Sequence, residues 1–170
     1  LVVDVGESGL HELTREYAIT NLGEGVDATG ELKPEAMERV VRAIDGFLAV
    51  RDSLSTPDHP VIRTVAVATS AARDARNAAD FAARLRERGI ELSVIPGARE
   101  AALSFSGASI DFSGERLMVV DVGGGSTEVV MGMGGVEPVC AHSFNVGCRR
   151  VTEKFLASDP PAPEELARAR

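Results

Sequence analysis

The chain has 170 residues, of which 44% are hydrophobic and 26% are charged, and its formal net charge is −8. This apolar fraction is large enough for a buried core, which excludes a wholly disordered chain. The acidic balance argues against a general binder of nucleic acids or anionic membranes, because such proteins need a basic surface. A local basic pocket for a phosphate-bearing ligand is compatible with the same charge.

The first part of the sequence predicts a hairpin followed by a helix. Residues 1–5 form an apolar run that ends in the turn Gly6-Glu7-Ser8-Gly9, and residues 10–22 predict a second strand. After a glycine-rich loop, Pro34 marks a helix start, because proline suits the first helical turn. Apolar residues at three- and four-residue steps predict the buried face of that helix: Met37, Val40, Val41, Ile44, Phe47 and Leu48.

Strands and helices alternate over the rest of the chain, which predicts an α/β fold. Residues 61–68 form a mostly apolar run, which is typical of a strand buried on both faces. The next predicted elements are a helix, a strand and a helix over residues 77–88, 90–95 and 99–108. Three strands then follow over residues 117–122, 128–132 and 136–144, and a helix begins near Glu164.

The two cysteines, Cys140 and Cys148, are spaced neither as a CxxC motif nor as a zinc site. So few cysteines argue against a disulfide scaffold and favour a reducing compartment, so we expect a cytoplasmic protein. The sequence contains no apolar run of about 18 residues or more and therefore predicts no transmembrane helix.

The strongest candidate for chemistry is the segment Asp-Val-Gly-Gly-Gly-Ser-Thr-Glu between Asp121 and Glu128. Glycines let the backbone approach a ligand, and successive N–H groups in such a turn bind anions. The candidate phosphate-binding residues are Gly123, Gly124, Gly125, Ser126 and Thr127. The two flanking carboxylates would provide oxygen ligands for Mg²⁺ beside a phosphate. The alternative is a tight hairpin turn with a capping aspartate, but the acidic and hydroxyl residues together favour phosphate binding.

Two further residues are candidates of the same kind. Arg73 follows within one turn of a predicted strand, at the edge where open α/β sheets bind ligands, and its guanidinium could bind a phosphate. The alternative for that segment is a helix cap followed by a surface arginine. Glu100 lies in the first turn of a predicted helix. It is either an acid favoured by the helix dipole or a general base that orients a water.

Three segments in this order resemble the exopolyphosphatase and guanosine-pentaphosphate phosphohydrolase (Ppx/GppA) family. They are residues 68–75, 96–101 and 121–128, and residues 22–27 and 145–153 fit the same family. The resemblance implies two ribonuclease H-like domains of the actin-like ATPase superfamily, with the active site in the cleft between them. Domain I would be residues 1–104, without its first strand and first phosphate loop, and residues 105–170 would begin domain II.

The resemblance also implies an activity and assigns roles by position. It implies Mg²⁺-dependent hydrolysis of terminal phosphoanhydride bonds in polyphosphate or guanosine pentaphosphate, by a homodimer with no nucleic-acid or membrane partner. Glu100 matches the family's catalytic base, and Arg73 matches the arginine that faces the phosphate. Gly123 to Thr127 match the second phosphate loop, while Asp121 and Glu128 match the acidic residues around the metal and water.

Two other functions stay open from the residues. One is a nucleotide-binding ATPase or kinase of the same superfamily, and the other is a non-catalytic module that senses polyphosphate or an alarmone. The acidic residues Glu100, Asp121 and Glu128 favour hydrolysis, because without a metal and a water they would repel a polyanion. Since the first phosphate loop is expected upstream, we expect the 170 residues by themselves to be inactive.

Overall fold

The computed structural model describes residues 1–7 and 9–170. The strands in this part of the chain are β1 (Val2–Gly6), β2 (Gly9–Thr14), β3 (Ala66–Ala68), β4 (Leu92–Val94), β5 (Arg116–Val122), β6 (Thr127–Met133) and β7 (Cys140–Phe144). The α-helices are α1 (Val26–Thr29), α2 (Pro34–Leu54), α3 (Ser70–Asp74), α4 (Ala78–Arg86), α5 (Gly97–Ala108), α6 (Cys148–Phe155) and α7 (Pro163–Ala169).

The strands described above form three small sheets. Strands β1 and β2 make an antiparallel hairpin, whereas β3 and β4 pair in parallel through a connection that contains α3 and α4. Strands β5, β6 and β7 form an antiparallel sheet in chain order. The predicted α/β alternation is therefore present from α2 onward.

The first hydrophobic core lies between α1, α2 and α4. Its buried members are Val26, Leu32, Met37, Val41, Ala75, Phe81, Leu85 and Ile90. The apolar stripe predicted for α2 supplies Met37 and Val41 to this core, and Val40, Ile44 and Leu48 pack against it. Helix α4 ends at Arg86, two residues before the predicted end, and Gly89 in the turn that follows has φ 72°, a left-handed conformation that suits glycine.

The second hydrophobic core lies between α5 and the three-stranded sheet. It consists of Ala101, Phe105 and Val130, with Leu117 and Val119 packed against it. Gly132 makes room for this contact, because a Cβ at its position would lie 2.8 Å from the Phe105 ring. The predicted domain division after residue 104 falls inside α5 and stays a prediction.

Three strand predictions were wrong in their extent, and the third is β7, which begins at Cys140 and not at residue 136. Strand β2 ends at Thr14, and Tyr17 and Ile19 beyond it are each 86% exposed, with no strand paired to that segment among the described residues. Residues 61–68 form a strand only over Ala66–Ala68, and this strand is not buried on both faces, because Val67 is 51% exposed. The pairing of β3 with β4 extends over three residues, which limits the regular structure there.

Several other elements lie close to their predicted positions. Strand β4 and helix α5 lie where a strand and a helix are predicted, and α7 begins at Pro163, close to the predicted start. The predicted turn between β1 and β2 includes Ser8, which lies outside the described residues. Among the described residues, no helix is long and apolar enough to cross a membrane.

Candidate active site

Helix α5 places Glu100 against the arginine of α3. Nη1 of Arg73 donates hydrogen bonds to the carbonyl oxygen of Ile95 at 2.8 Å and to Oε2 of Glu100 at 3.3 Å. Both side chains are largely buried, with 27% and 16% of their surface exposed. Nε and Nη2 of Arg73 donate to no protein acceptor within the described residues, so part of the guanidinium fork is available to a ligand.

The two predicted metal-site carboxylates are cross-strand partners. Asp121 on β5 pairs in register with Glu128 on β6, which places both side chains on the same face of the sheet. That face is the one covered by α5, and Glu128 is only 1% exposed. The sequence prediction that these acids flank one site is therefore consistent with their placement.

Two serines that the sequence analysis did not select hold these carboxylates. Ser104 donates a 2.5 Å hydrogen bond to Oδ2 of Asp121, and Ser143 donates a 2.7 Å hydrogen bond to Oε1 of Glu128. Ser104 lies one helical turn after Glu100, so both share a face of α5. Ser143 is the register partner of Glu128 on β7. The four-residue spacing was visible in the sequence, whereas the β6–β7 register was not.

Gly97 brings these groups close together at the start of α5. A Cβ at this position would lie 3.1 Å from Oγ of Ser143 and 3.9 Å from Nη2 of Arg73. The residue therefore sits between the Arg73–Glu100 pair and the Ser143–Glu128 pair. A larger side chain at this position would push the two pairs apart. This steric limit explains why a glycine follows Pro96.

The glycine loop after β5 is hydrogen-bonded to the first turn of α6. The N–H of Gly123 donates to the carbonyl of Ser126 at 2.9 Å, which closes the turn. The carbonyls of the loop accept hydrogen bonds from the first N–H groups of α6: Gly123 O from Cys148, and Gly124 O from Arg149 and Arg150. Within the described residues, the N–H groups of Gly124 and Gly125 donate to no protein acceptor, as an anion-binding turn requires.

The two hydroxyl residues of the loop differ in their availability. Oγ1 of Thr127 donates a 2.5 Å hydrogen bond to the carbonyl of Val146, in the segment that leads into α6. The hydroxyl proton of Thr127 is therefore already used within the protein. Ser126 is 2% exposed, and its hydroxyl makes no hydrogen bond to protein in the described part of the chain. The hydroxyl of Ser126 is thus not used by another protein group in the described residues.

Arg150 connects the glycine loop to the first half of the chain. Nε donates to the carbonyl of Gly125 at 2.9 Å, Nη2 lies 3.0 Å from Oδ2 of Asp74, and Nη1 pairs with Asp27. A single guanidinium therefore joins the loop to α3 and α1. Residues 145–153 fit the family pattern in sequence, but no role was predicted for this arginine.

A second connection involves the loop that precedes α1. Both carboxylate oxygens of Glu153 on α6 accept hydrogen bonds from the N–H of Gly25, at 3.1 and 3.2 Å. The neighbouring Glu24 is held by Lys33 and Arg39, each with a nitrogen 2.7 Å from its carboxylate, and these two cations lower the pKa of Glu24. The glycine-rich loop, which had no predicted role, is therefore an anchor for α6.

A cleft lies between these connected elements. Its lining includes Asn21, Gly23, Thr69 and Ser70 from the first half of the chain, and Gly124 from the glycine loop. Arg150 in its lining pairs with Asp27 and Asp74, and Nε of Arg149 pairs with Glu153. The donors of the cleft that have no protein acceptor in the described residues include the N–H groups of Gly124 and Gly125 and Nη1 and Nη2 of Arg149, which are suited to an anionic ligand.

The carboxylates near the loop fit a magnesium ion that is bound together with a phosphate. No group of three His, Cys, Asp or Glu side chains in the described residues could hold a metal by itself. Magnesium is usually bound by one or two carboxylates together with substrate phosphates and water. Asp121 and Glu128 would supply the protein ligands of such an ion.

The sequence matches known proteins over its full length. The profile of the Ppx/GppA phosphatase family matches residues 1–170. Exopolyphosphatase 2 of Mycobacterium tuberculosis is 41% identical over 182 residues, covering 100% of this chain and 55% of that protein. Exopolyphosphatase 1 of Mycobacterium bovis is 31% identical over 185 residues, covering 99% of this chain and 52% of that protein. The chain thus spans about half the length of the curated relatives it matches.

Solved structures confirm the predicted α/β fold class. An exopolyphosphatase from Cytophaga hutchinsonii superposes with a TM-score of 0.84 at 29% identity, covering 98% of this chain and 52% of that one. The Aquifex aeolicus member of the Ppx/GppA family superposes with a TM-score of 0.70 at 32% identity, covering 98% of this chain and 53% of that one. The chain belongs to the Ppx/GppA phosphatase family.

Proposed function

We propose that this chain forms part of a Mg²⁺-dependent phosphatase that hydrolyses terminal phosphoanhydride bonds. The observation that carries the proposal is the glycine loop, where the N–H groups of Gly124 and Gly125 and the hydroxyl of Ser126 donate to no protein acceptor in the described residues. Together these three donors can surround a phosphate group. The family membership supports the same reaction class.

The terminal phosphate would be bound between the two halves of the chain. The loop donors contact it from one side, and the free Nε and Nη2 of Arg73 contact it from the other. Arginine suits this role, because its planar fork can donate two parallel hydrogen bonds to one phosphate. A magnesium ion held by Asp121 and Glu128 would neutralise charge on the phosphate.

Glu100 is the proposed general base. Its carboxylate is held by Arg73, and a base held close to the phosphate-binding group can orient a water for in-line attack. Ser104, one turn further along α5, fixes Asp121. Helix α5 therefore positions the base directly and one metal ligand through a hydrogen bond.

Inorganic polyphosphate is the proposed substrate, and guanosine pentaphosphate is the second candidate. The names of the relatives from Mycobacterium and Cytophaga favour polyphosphate. With a net charge of −8, long-range attraction cannot recruit a polyanion. The loop N–H groups, Arg73 and Mg²⁺ would have to bind it locally.

The experiment is a phosphate-release assay on the complete gene product that contains this chain. Tripolyphosphate, a long-chain polyphosphate, guanosine pentaphosphate and ATP are supplied in turn, with Mg²⁺ or with EDTA. We expect Mg²⁺-dependent release from the polyphosphates. Hydrolysis of ATP alone would instead indicate an ATPase or kinase, and binding without release would indicate a sensor module.

A further inference from the structure

A serine outside the glycine loop has a free hydroxyl that is directed at the loop. Ser70, the first residue of α3, is 4% exposed, and its hydroxyl makes no hydrogen bond to protein within residues 1–7 and 9–170. In the same residues, every fully enclosed polar side-chain atom has a hydrogen-bond partner. The Ser70 hydroxyl must therefore reach the solvent of the cleft that Ser70 lines.

The hydroxyl of Ser70 lies very close to Gly125 of the loop. A Cβ at Gly125 would lie 2.2 Å from Oγ of Ser70, so only a glycine permits this approach. The same Gly125 has a free backbone N–H. The Ser70 hydroxyl and this N–H are thus two unpaired donors from opposite halves of the chain at one point of the cleft.

Ser70 also shares a helix face with the phosphate-facing arginine. Residues three apart on a helix are neighbours, so Ser70 and Arg73 project from α3 on the same side. A nearly buried hydroxyl without a partner is costly unless a ligand or water satisfies it. A group that binds at the loop and faces Arg73 would pass within reach of Ser70.

We infer that Ser70 is a further substrate-contacting residue, whose hydroxyl donates a hydrogen bond to an oxygen of the bound phosphate. This inference rests on the proposed function for the site but concerns a residue that was not among the candidates predicted from the sequence. The contact would come from the first half of the chain, opposite Ser126. It would make phosphate binding depend on both halves.

The test compares Ser70→Ala and Ser70→Cys with the unchanged complete gene product. Alanine removes the hydroxyl without adding bulk, whereas cysteine is slightly larger than serine and is only a weak donor. The matched control is Ser109→Ala, because Ser109 is a serine of similar burial outside the site. Phosphate release from tripolyphosphate gives kcat and KM, and calorimetry with inorganic pyrophosphate gives an affinity that needs no turnover.

We expect both Ser70 variants to lose roughly 10-fold or more in kcat/KM and in pyrophosphate affinity, as for a lost hydrogen bond to a charged group. Their melting temperatures should match that of the control. Values within twofold of the unchanged protein in both assays would overturn the role of Ser70. Absence of turnover in the unchanged protein, together with weakened pyrophosphate binding in the Ser70 variants, would overturn the proposed reaction but support the contact. Absence of both turnover and binding in the unchanged protein would overturn both.

Discussion

Nη2 of Arg150 on α6 lies 3.0 Å from Oδ2 of Asp74, the residue that follows Arg73 on α3. The same guanidinium donates to the carbonyl of Gly125 in the glycine loop. Arg150 therefore connects the loop to α3, the helix that carries Arg73. An ion pair that connects two halves of a site in this way affects both stability and ligand binding.

Replacement of Arg150 should lower both the stability of the protein and its affinity for phosphate. We expect Arg150→Ala to lower the free energy of unfolding by about 1–3 kcal/mol, since it leaves Asp27, Asp74 and a carbonyl without their donor. Arg150→Lys should recover only part of this, because an ammonium group cannot serve three separated acceptors. Urea unfolding and pyrophosphate calorimetry measure the two effects.

The control for this change is Arg168→Ala, which removes an exposed arginine on α7. It should shift the unfolding free energy by no more than about 0.5 kcal/mol. If Arg150→Ala behaves like this control in both assays, the arginine does not connect the halves.

Close backbone contact between Gly147 and the loop gives a second prediction. A Cβ at Gly147 would lie 2.4 Å from the carbonyl carbon and oxygen of Gly124. Gly147→Ala should therefore displace the loop, lower the melting temperature and reduce pyrophosphate affinity at least about 10-fold, since the displacement moves charge-assisted donors.

The matched change is Gly46→Ala in α2, where a Cβ would meet no atom within 4 Å. Alanine is a better helix former, so this variant should gain about 0.5–1 kcal/mol in stability and keep its affinity. Equal pyrophosphate affinity in the two variants would contradict the proposed packing of Gly147 on the loop.

Local signals in the sequence indicated most residues of the candidate site, but they did not reveal the contacts that connect them. Asp121, Glu128 and the glycine loop were predicted from one contiguous motif, and helices α2 and α4 followed from apolar periodicity. Ser104, Ser143 and Arg150 were not predicted, because their roles depend on the pairing of β6 with β7 and on contacts between distant segments. Hydrophobic pattern alone also overestimated the strand at residues 61–68, since strand length there depends on the partner β4.

Glu165 provides a prediction for the pH dependence of stability. A hydrogen bond from the Ser158 hydroxyl, together with bonds from the N–H groups of Ala162 and Ala157, lowers its pKa from 4.5 to about 2. Because the unfolded chain binds the proton more readily, the stabilisation is fully present above about pH 4.5 and is lost as the pH falls towards 2. Glu165→Gln should therefore be less stable than the unchanged protein at pH 7, and the difference should shrink at low pH.

Thermal unfolding at several pH values between 7 and about 2 measures this difference. Glu164→Gln is the matched control, because Glu164 is the adjacent exposed carboxylate in the first turn of α7. The control should show no such convergence. A constant gap between Glu165→Gln and the unchanged protein across this range would show that the carboxylate is not held as described.

The central claim is that Glu100 activates the water that attacks a phosphate bound at the glycine loop. The most direct measurement is phosphate release from polyphosphate by Glu100→Gln in the complete gene product, beside Glu137→Gln as an exposed control. Loss of a general base predicts a fall in kcat of about 10²–10⁴-fold, without any loss of pyrophosphate affinity, because the substitution removes a negative charge beside Arg73. A kcat close to that of the unchanged protein would contradict the assignment of Glu100 and, with it, the proposed mechanism.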